Sequence, residues 1–177
     1  MQQTIQINEL EQKRKDLLDF YKTKQSFRVS VGKSKWVEYR EFCPAYNLRE
    51  VLNNEVAIEF DMPKDWSLGL EAFQDVSWAA INFTAINLLE SGYEFEVWDH
   101  GGKSPHLHIH NLPISHLEKD KRKLFKKIFI RKYVPKEYLQ WVDISLTGVH
   151  LIAIEWAEHW KGKYGIKKLI NKWGDSE

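Results

Sequence analysis

The stretch over residues 93–112 reads YEFEVWDHGGKSPHLHIHNL, and its pattern predicts a strand, a tight turn and a second strand. In the first half Tyr93, Phe95 and Val97 alternate with charged residues, which is typical of a strand with one buried face. Residues 100–105 then supply turn chemistry, because two glycines tolerate positive φ and a proline opposes helix. The rest of the fold is organised around these two strands.

The second of these strands carries a row of histidines. Leu107 and Ile109 point to one face of the strand, so the residues between them point to the other face. That other face carries His106, His108 and His110, with Ser104 in line with them. One histidine is commonly structural, but a whole histidine face beside a Gly-Gly-Lys-Ser turn favours a functional site on the side opposite the core.

Composition limits the class of protein. A chain of 177 residues suits one domain, and a hydrophobic content of 43% excludes a disordered chain. The formal net charge is only +1, so overall charge does not identify an anionic partner. The single cysteine, Cys43, excludes an internal disulfide and a cysteine-based zinc site. Without an apolar leader or a membrane-spanning run, we expect a cytoplasmic protein with no membrane association.

Hydrophobic periodicity predicts the other elements, and no composition break divides the chain. We expect one domain over residues 1–177, with an N-terminal helix in 1–25 and a core in 26–177. Helical spacing and capping signals predict helices at 5–24, 68–91, 115–133 and 166–173, and a helical turn within 45–53. The third of these would begin at a capping box, Ser115 with Glu118. Alternation predicts strands at 27–32, 36–42, 55–61 and 148–154.

Residues 55–61, EVAIEFD, place two acids at the end of a strand. Val56, Ile58 and Phe60 would face the core, so Glu59 and Asp61 would point the other way. Two carboxylates in this arrangement can bind a hard divalent cation through oxygen. Taken alone, an exposed strand face is the simpler interpretation.

The predicted helix at 68–91 makes the acidic pair more informative. It connects the acidic strand to the histidine strand as a crossover, which can place both strands in one sheet. If their core faces coincide, Glu59 and Asp61 share an open face with Ser104 and His106.

Two basic segments follow, and each has two interpretations. Residues 119–136 contain nine lysines and arginines against one acid, including Lys126, Lys127 and Arg131. They could form a solvated helix face or follow a phosphate backbone. Residues 158–165 could form a surface loop, or could grip a triphosphate through His159, Lys161 and Lys163.

Three of these segments together resemble a known family. AIEFD at 57–61, GGKSPHLHI at 101–109 and the later WVD at 141–143, where an acid follows an apolar pair, look like the three motifs of the archaeo-eukaryotic primase superfamily. That superfamily includes the small catalytic primase subunit. The segment REF at 40–42 and the run HLIAIEWAEHWKGKYGI at 150–166 are similar to flanking segments of that family. The resemblance covers residues 36–170. The first acid here is Glu59, where the family usually carries Asp.

The resemblance implies a fold and a set of site residues. The fold would be α+β, with a central, mostly antiparallel, RRM-like sheet that has helices on one face and an open catalytic cleft on the other. Glu59, Asp61 and Asp143 would hold two divalent ions, Mg²⁺ or Mn²⁺. The nucleotide phosphates would be bound by Ser104, His106 and Lys103, with His159, Lys161, Lys163 and Arg40 assisting.

The implied activity is template-directed nucleotidyl transfer of the primase or primase-polymerase type. Its partners would be nucleoside triphosphates and a single-stranded DNA or RNA template, and a separate primase large subunit or a helicase could dock. Two alternatives stay open. The chain could be a non-catalytic nucleic-acid-binding subunit, or a histidine-triad nucleotide hydrolase in which His108 attacks a phosphate without metal.

Overall fold

The computed structural model describes residues 27–32, 35–39, 48–148, 150–156, 158–159 and 164–173, together with the isolated residues Gln12, Lys15 and Asp16. For residues 27–32, 35–39 and 172–173 it describes the backbone alone. The three isolated residues are helical, and the remainder of the helix predicted at 5–24 lies outside the described residues. So do residues 40–47, which include the predicted site residue Arg40, and residues 161–163, which include Lys161 and Lys163.

The structure is α+β with antiparallel sheets, as the sequence predicts. In chain order the strands are β1 (Phe27–Gly32), β2 (Lys35–Tyr39), β3 (Leu48–Glu50), β4 (Val56–Ile58), β5 (Phe95–Asp99), β6 (His106–Ile109), β7 (Leu151–Ala153) and β8 (Lys168–Trp173). The α-helices are α1 (Gly69–Glu90) and α2 (Lys119–Tyr133), followed by two 3₁₀ helices at Lys136–Trp141 and Ile144–Thr147.

A four-stranded antiparallel sheet in the order β4-β6-β5-β8 forms the centre of the fold. Strands β5 and β6 are the predicted pair around the tight turn, with Trp98 opposite His106. Strand β4 pairs with the other edge of β6, where Ala57 lies opposite His108. Since β4 and β5 both run antiparallel to β6, α1 connects two strands of one direction, as a crossover requires.

The main core lies between this sheet and the two α-helices. Ile58 of β4 and Phe60 just beyond it are fully buried there, at 0% and 1% exposure. Phe73 and Leu88 from α1 and Phe129 from α2 pack against them. The predicted inward face of residues 55–61 is therefore confirmed.

The opposite face of the sheet is more covered than the sequence predicts. Strands β3 and β7 pair as a separate two-stranded sheet. They supply Val51 and Ile152 to a second small cluster that includes Ala57 of β4. Because this layer covers the middle of the sheet, the histidine face is not open along its length, and only one end remains a cleft.

Three local predictions are wrong. Residues 48–50 form strand β3 rather than a helical turn, because they pair with β7. Residues 168–173 form strand β8 rather than a helix, since they satisfy the outer edge of β5. Helix α2 begins at Lys119 with Glu118 as its N-cap and no side-chain cap, so Ser115 does not open it. The helix predicted at 68–91 and the helix end at Tyr133 are confirmed.

Candidate active site

Backbone pairing brings the three predicted carboxylates together. Beyond the end of β4, Phe60 forms an isolated antiparallel bridge with Val142. Around this bridge the N–H of Asp143 donates to the carbonyl of Glu59 over 2.9 Å. Residues paired in this way direct their side chains to the same face, and Asp61 shares that face through the two-residue period. All three acids therefore reach one cavity.

This cavity has a volume of about 280 Å³ and a mostly polar lining. We call it the acidic cavity. It brings together seven residues predicted from sequence, namely Glu59, Asp61, Lys103, Ser104, His106, Asp143 and His159. Sequence reasoning missed three further polar residues that line it, His100, His150 and Tyr164. Segments that are distant in sequence thus converge on one polar cleft.

Glu59 is the acid that this crowding affects most. Its pKa is raised to about 7, mainly by burial and also by the nearby charges of Asp61 and Asp143, against the opposing effect of Lys167 and Lys103. Carboxylates placed this close repel each other, and a divalent cation is the partner that relieves such repulsion. The Lys103 ammonium, 3.5 Å from an Asp61 oxygen, is half-exposed and provides only partial compensation.

His106 points into the cavity as a neutral imidazole. Burial holds its pKa well below the usual value, and the charge of Lys167 lowers it further. Its Nε2 atom lies 3.6 Å from a carboxylate oxygen of Glu59, so this contact is not an ion pair at neutral pH. Nε2 is buried without a hydrogen-bond partner among the described residues. A buried ring nitrogen in that state is suited to accept or donate a hydrogen bond to a bound molecule.

The Ser104 side chain has a structural role in this conformation. Its hydroxyl accepts a hydrogen bond from the N–H of Phe60 over 3.1 Å and donates one to the carbonyl of Pro105 over 2.7 Å. It therefore ties the turn between β5 and β6 to the strand that carries the acids. Although Ser104 lines the cavity, its hydroxyl positions that strand rather than pointing freely at a ligand.

The far wall of the cavity is aromatic. His100, His159 and Tyr164 pack against one another in tilted and edge-on arrangements, with ring centroids 4.7 to 5.4 Å apart. The N–H of Gly165 donates to the carbonyl of His100 over 2.9 Å, which docks the C-terminal segment onto the turn. Burial lowers the pKa of His100 to about 4, and the charge of His159 adds to that effect.

Behind the cavity lies a buried ionic network that the sequence did not predict. Arg49 of β3 is fully buried and makes hydrogen bonds of 2.7 and 2.8 Å to Glu55 and of 2.6 and 2.9 Å to Glu155. The Lys167 ammonium lies 3.5 Å from Glu155 and donates to the carbonyl of Ala153. Burial opposes ionisation of both carboxyls, but Arg49 outweighs it and holds their pKa values low.

His108 belongs to this network and not to the cavity. Its Nδ1 lies 2.7 Å from a Glu55 oxygen and its Nε2 lies 3.2 Å from the Lys167 ammonium. The ring is fully buried, so neither nitrogen can attack a substrate. This geometry disfavours the histidine-triad hydrolase. Of the network, His108 was singled out from the sequence, and the signal that could have found Glu55 is the two-residue period that it shares with Glu59 and Asp61.

A second group could hold a metal ion by distance alone. The ligand atoms of Glu55, His108 and His110 lie within 4.8 Å of one another, and no other trio of acids and histidines in the described ranges is as compact. However, Arg49 Nη2 already lies 2.7 Å from Glu55 and 3.2 Å from His108 Nδ1. A cation would have to displace the guanidinium. The three cavity carboxylates do not form so compact a group.

The predicted nucleic-acid contacts on α2 differ in exposure. Lys126 is only 4% exposed and donates to the carbonyl of Leu52 over 2.8 Å, so it is not the surface contact that the sequence predicts. Lys127 is half-buried and Arg131 is exposed. The amphipathic stripe of the helix explains this difference, because residue 126 faces the protein.

No protein-family model matches this chain, and a comparison with curated proteins gives no match either. The described helices include none with the length and apolarity of a membrane span. What the site does must therefore be argued from its own geometry.

Proposed function

We propose that this chain is a divalent-metal-dependent nucleotidyltransferase of the primase or primase-polymerase type, acting on single-stranded nucleic acid. The observation that carries the proposal is the convergence of Glu59, Asp61 and Asp143 on one cavity beside His106 and Lys103. Carboxylates, a neutral imidazole and a lysine are the groups that this chemistry needs. They come from separate segments, and the order of those segments along the chain resembles the order of the primase motifs.

Glu59, Asp61 and Asp143 would hold two ions, Mg²⁺ or Mn²⁺, through oxygen ligands. When bound, such ions orient the attacking 3′-oxygen and stabilise the leaving pyrophosphate. Mg²⁺ in particular binds through one or two carboxylates together with substrate phosphates, so an incomplete protein cage suits it. The buried network at Glu55 and His108 is the less suitable metal site, because Arg49 already neutralises it.

His106 and Lys103, which line the same cavity as the acids, would bind the triphosphate. The unpartnered Nε2 of His106 donates to a phosphate oxygen when it carries the proton, and so stabilises charge that develops during transfer. The Lys103 ammonium, now 3.5 Å from an Asp61 oxygen, would be free to contact the phosphates if that carboxylate held a cation. His159 and Tyr164 form the wall against which the nucleotide would lie.

A nucleotide-incorporation assay tests the proposal directly. A primed and an unprimed single-stranded template are supplied with labelled deoxynucleotides or ribonucleotides, with Mg²⁺, with Mn²⁺ or with EDTA. We expect incorporation that needs a divalent ion and is lost in Asp61→Asn. Asp65→Asn is the matched control, because Asp65 is an exposed acid outside the cavity lining. Incorporation that survives EDTA, or that is equal in both variants, would refute the proposal.

Metal binding gives a second readout that needs no substrate. Titration of Mn²⁺ followed by electron paramagnetic resonance should show binding that Asp61→Asn weakens and that His110→Gln leaves unchanged. The opposite ordering would place the metal at the Glu55, His108 and His110 group instead.

A further inference from the structure

A second cavity, of about 340 Å³, lies where the first turns of α2 face β3 and the second 3₁₀ helix. We call it the basic cavity. Its charged lining consists of four cations, Lys119, Arg122, Lys123 and Lys126, and two acids, Glu50 and Asp120. Val51, Asn53, Thr147 and Gly148 complete it. Four positive charges against two negative charges leave a net positive potential in a concave space, which attracts anions.

Lys126 gives this cavity an unusual base. Its side chain is more than nine-tenths buried, and among the described residues its ammonium group has one acceptor, the carbonyl of Leu52. An ammonium has three N–H donors, so two remain for a ligand. Burial lowers the pKa of Lys126 to about 8, and the charge of Arg122 lowers it too, against the opposing effect of Glu55. An anion in the cavity would offset both effects.

The remaining cations surround this base. Arg122 donates to the carbonyls of Ser115 and Leu117, which fixes its guanidinium at the rim. The aliphatic part of the Lys123 side chain passes close to Gly148, since a Cβ atom on residue 148 would lie 4.0 Å from Lys123 Cε. Lys119 and Lys123 are themselves exposed and take no part in the core.

The basic cavity lies next to the acidic cavity along two elements. Strand β3 lines the acidic cavity with Leu48 and the basic cavity with Glu50. The second 3₁₀ helix also borders both cavities, because its N-cap Asp143 lines the acidic cavity and Thr147 lines the basic cavity. At about 3.3 Å per strand residue and about 2 Å per 3₁₀ residue, the offset is roughly 7–8 Å. That is close to the distance between neighbouring phosphates of an extended single strand.

We propose that the basic cavity binds a backbone phosphate of the single-stranded nucleic acid whose reacting nucleotide occupies the acidic cavity. This inference rests on the proposed function and adds where the strand runs: along β3, from the acids to the start of α2. It also replaces Lys127 and Arg131, which the sequence favoured, with Lys119 and Lys123 as the principal exposed contacts.

The test compares two double variants with the same change in charge. Lys119→Gln with Lys123→Gln removes the exposed cations of the cavity and leaves the hydrogen bond of Lys126 in place. Lys121→Gln with Lys132→Gln is the control, since these exposed lysines lie on the far side of α2 at 100° per residue. A fluorescent oligothymidylate is titrated in EDTA at several salt concentrations, so that metal and catalysis play no part.

We expect the cavity variant to bind the oligonucleotide about tenfold more weakly and to lose about 0.7 from the log-log salt slope, the value for one phosphate on a single strand. The control should keep the slope of the wild-type protein. Equal slopes in all three proteins, or no binding by the wild-type protein, would overturn the inference.

Titration with inorganic phosphate separates a nucleic-acid site from a free-anion site. Tight phosphate binding that the cavity variant loses, without oligonucleotide binding, would also overturn the inference. A failure of this inference can be distinguished from a failure of the proposed function. If the salt slope falls in the cavity variant but the wild-type protein incorporates no nucleotide, the strand-binding site is supported and the proposed enzyme activity is refuted. If the protein incorporates nucleotide but the slopes are unchanged, the activity is supported and the strand-binding site is refuted.

Discussion

The N–H of Asp143 donates to the carbonyl of Glu59 over 2.9 Å, so two of the three cavity carboxylates are neighbours through their backbones. Their spacing is therefore fixed by strand pairing and not by flexible side-chain contacts. A site held in this way keeps its acids together despite their repulsion, because the hydrogen bonds do not depend on the charge of the side chains.

The acids should be separable from the fold by substitution. Asp61→Asn should reduce nucleotide transfer by at least about a hundredfold, because the substitution removes a metal ligand. It should leave the free energy of unfolding unchanged, because the Asp61 side chain is 57% exposed. Asp143→Asn should behave similarly. Asp143→Ala should also cost about 1 kcal/mol of stability, because Asp143 caps the second 3₁₀ helix through Ser145. Urea unfolding beside the incorporation assay checks this, and a comparable loss of stability in Asp61→Asn would contradict it.

The two central histidines should have opposite phenotypes. His106→Gln should lower kcat and raise KM for the nucleotide with little change in stability, because Nε2 has no protein partner to lose. His108→Ala should instead destabilise the protein by about 2–4 kcal/mol, since it removes one of the hydrogen bonds to buried Glu55 and leaves a cavity in place of a fully buried ring. Steady-state kinetics and urea unfolding on both variants decide the assignment. A stable, inactive His108→Ala protein would restore the hydrolase alternative.

Arg49 should be the most sensitive position behind the site. Arg49→Met leaves Glu55 and Glu155 buried together without their shared cation, and should cost about 3–5 kcal/mol. Arg49→Lys should recover only part of this, because one ammonium cannot make the paired contacts of a guanidinium. Chemical denaturation measures both, with Arg131→Met as an exposed control. A near-neutral Arg49→Met would mean that the network does not stabilise the fold.

Stability should fall in mild acid, before most carboxylates titrate. The pKa values of His100 and His108 are lowered to about 4 in the folded protein. Below about pH 6.5 these two histidines are therefore protonated in the unfolded chain but remain neutral in the folded one. These histidines therefore decrease stability as the pH falls from about 6.5 to 4, by up to about 1.4 kcal/mol per pH unit for each, and protonation of Glu59, whose pKa is raised to about 7, offsets part of the loss.

Glu55 and Glu155 extend this loss to lower pH. Their pKa values are depressed in the folded state, so their stabilising contribution is present above about pH 4.5 and declines as the pH falls further. Urea unfolding at pH 7.5, 6.0, 5.0 and 4.0 measures the profile. His100→Gln should flatten the segment between 6.5 and 4, and a wild-type profile that is flat over that range would contradict the proposed neutral histidines.

The amino-acid sequence by itself determined the elements whose signals are local. Alternation and turn chemistry gave β5, β6 and the turn between them, and helical spacing gave α1 and the end of α2. The two-residue period of β4 also placed Glu59 and Asp61 away from the core. These features depend on residues a few positions apart, so a single sequence contains them.

Tertiary structure decided what each of those faces meets. Residues 168–173 and 48–50 fit more than one local pattern, and the open edges of β5 and β7 made both of them strands. His106 and His108 share one face of β6 and cannot be told apart by periodicity. The layer of β3 and β7 covers His108 with Arg49 and leaves His106 at the acidic cavity, because burial and charge are set by whichever distant segment packs there.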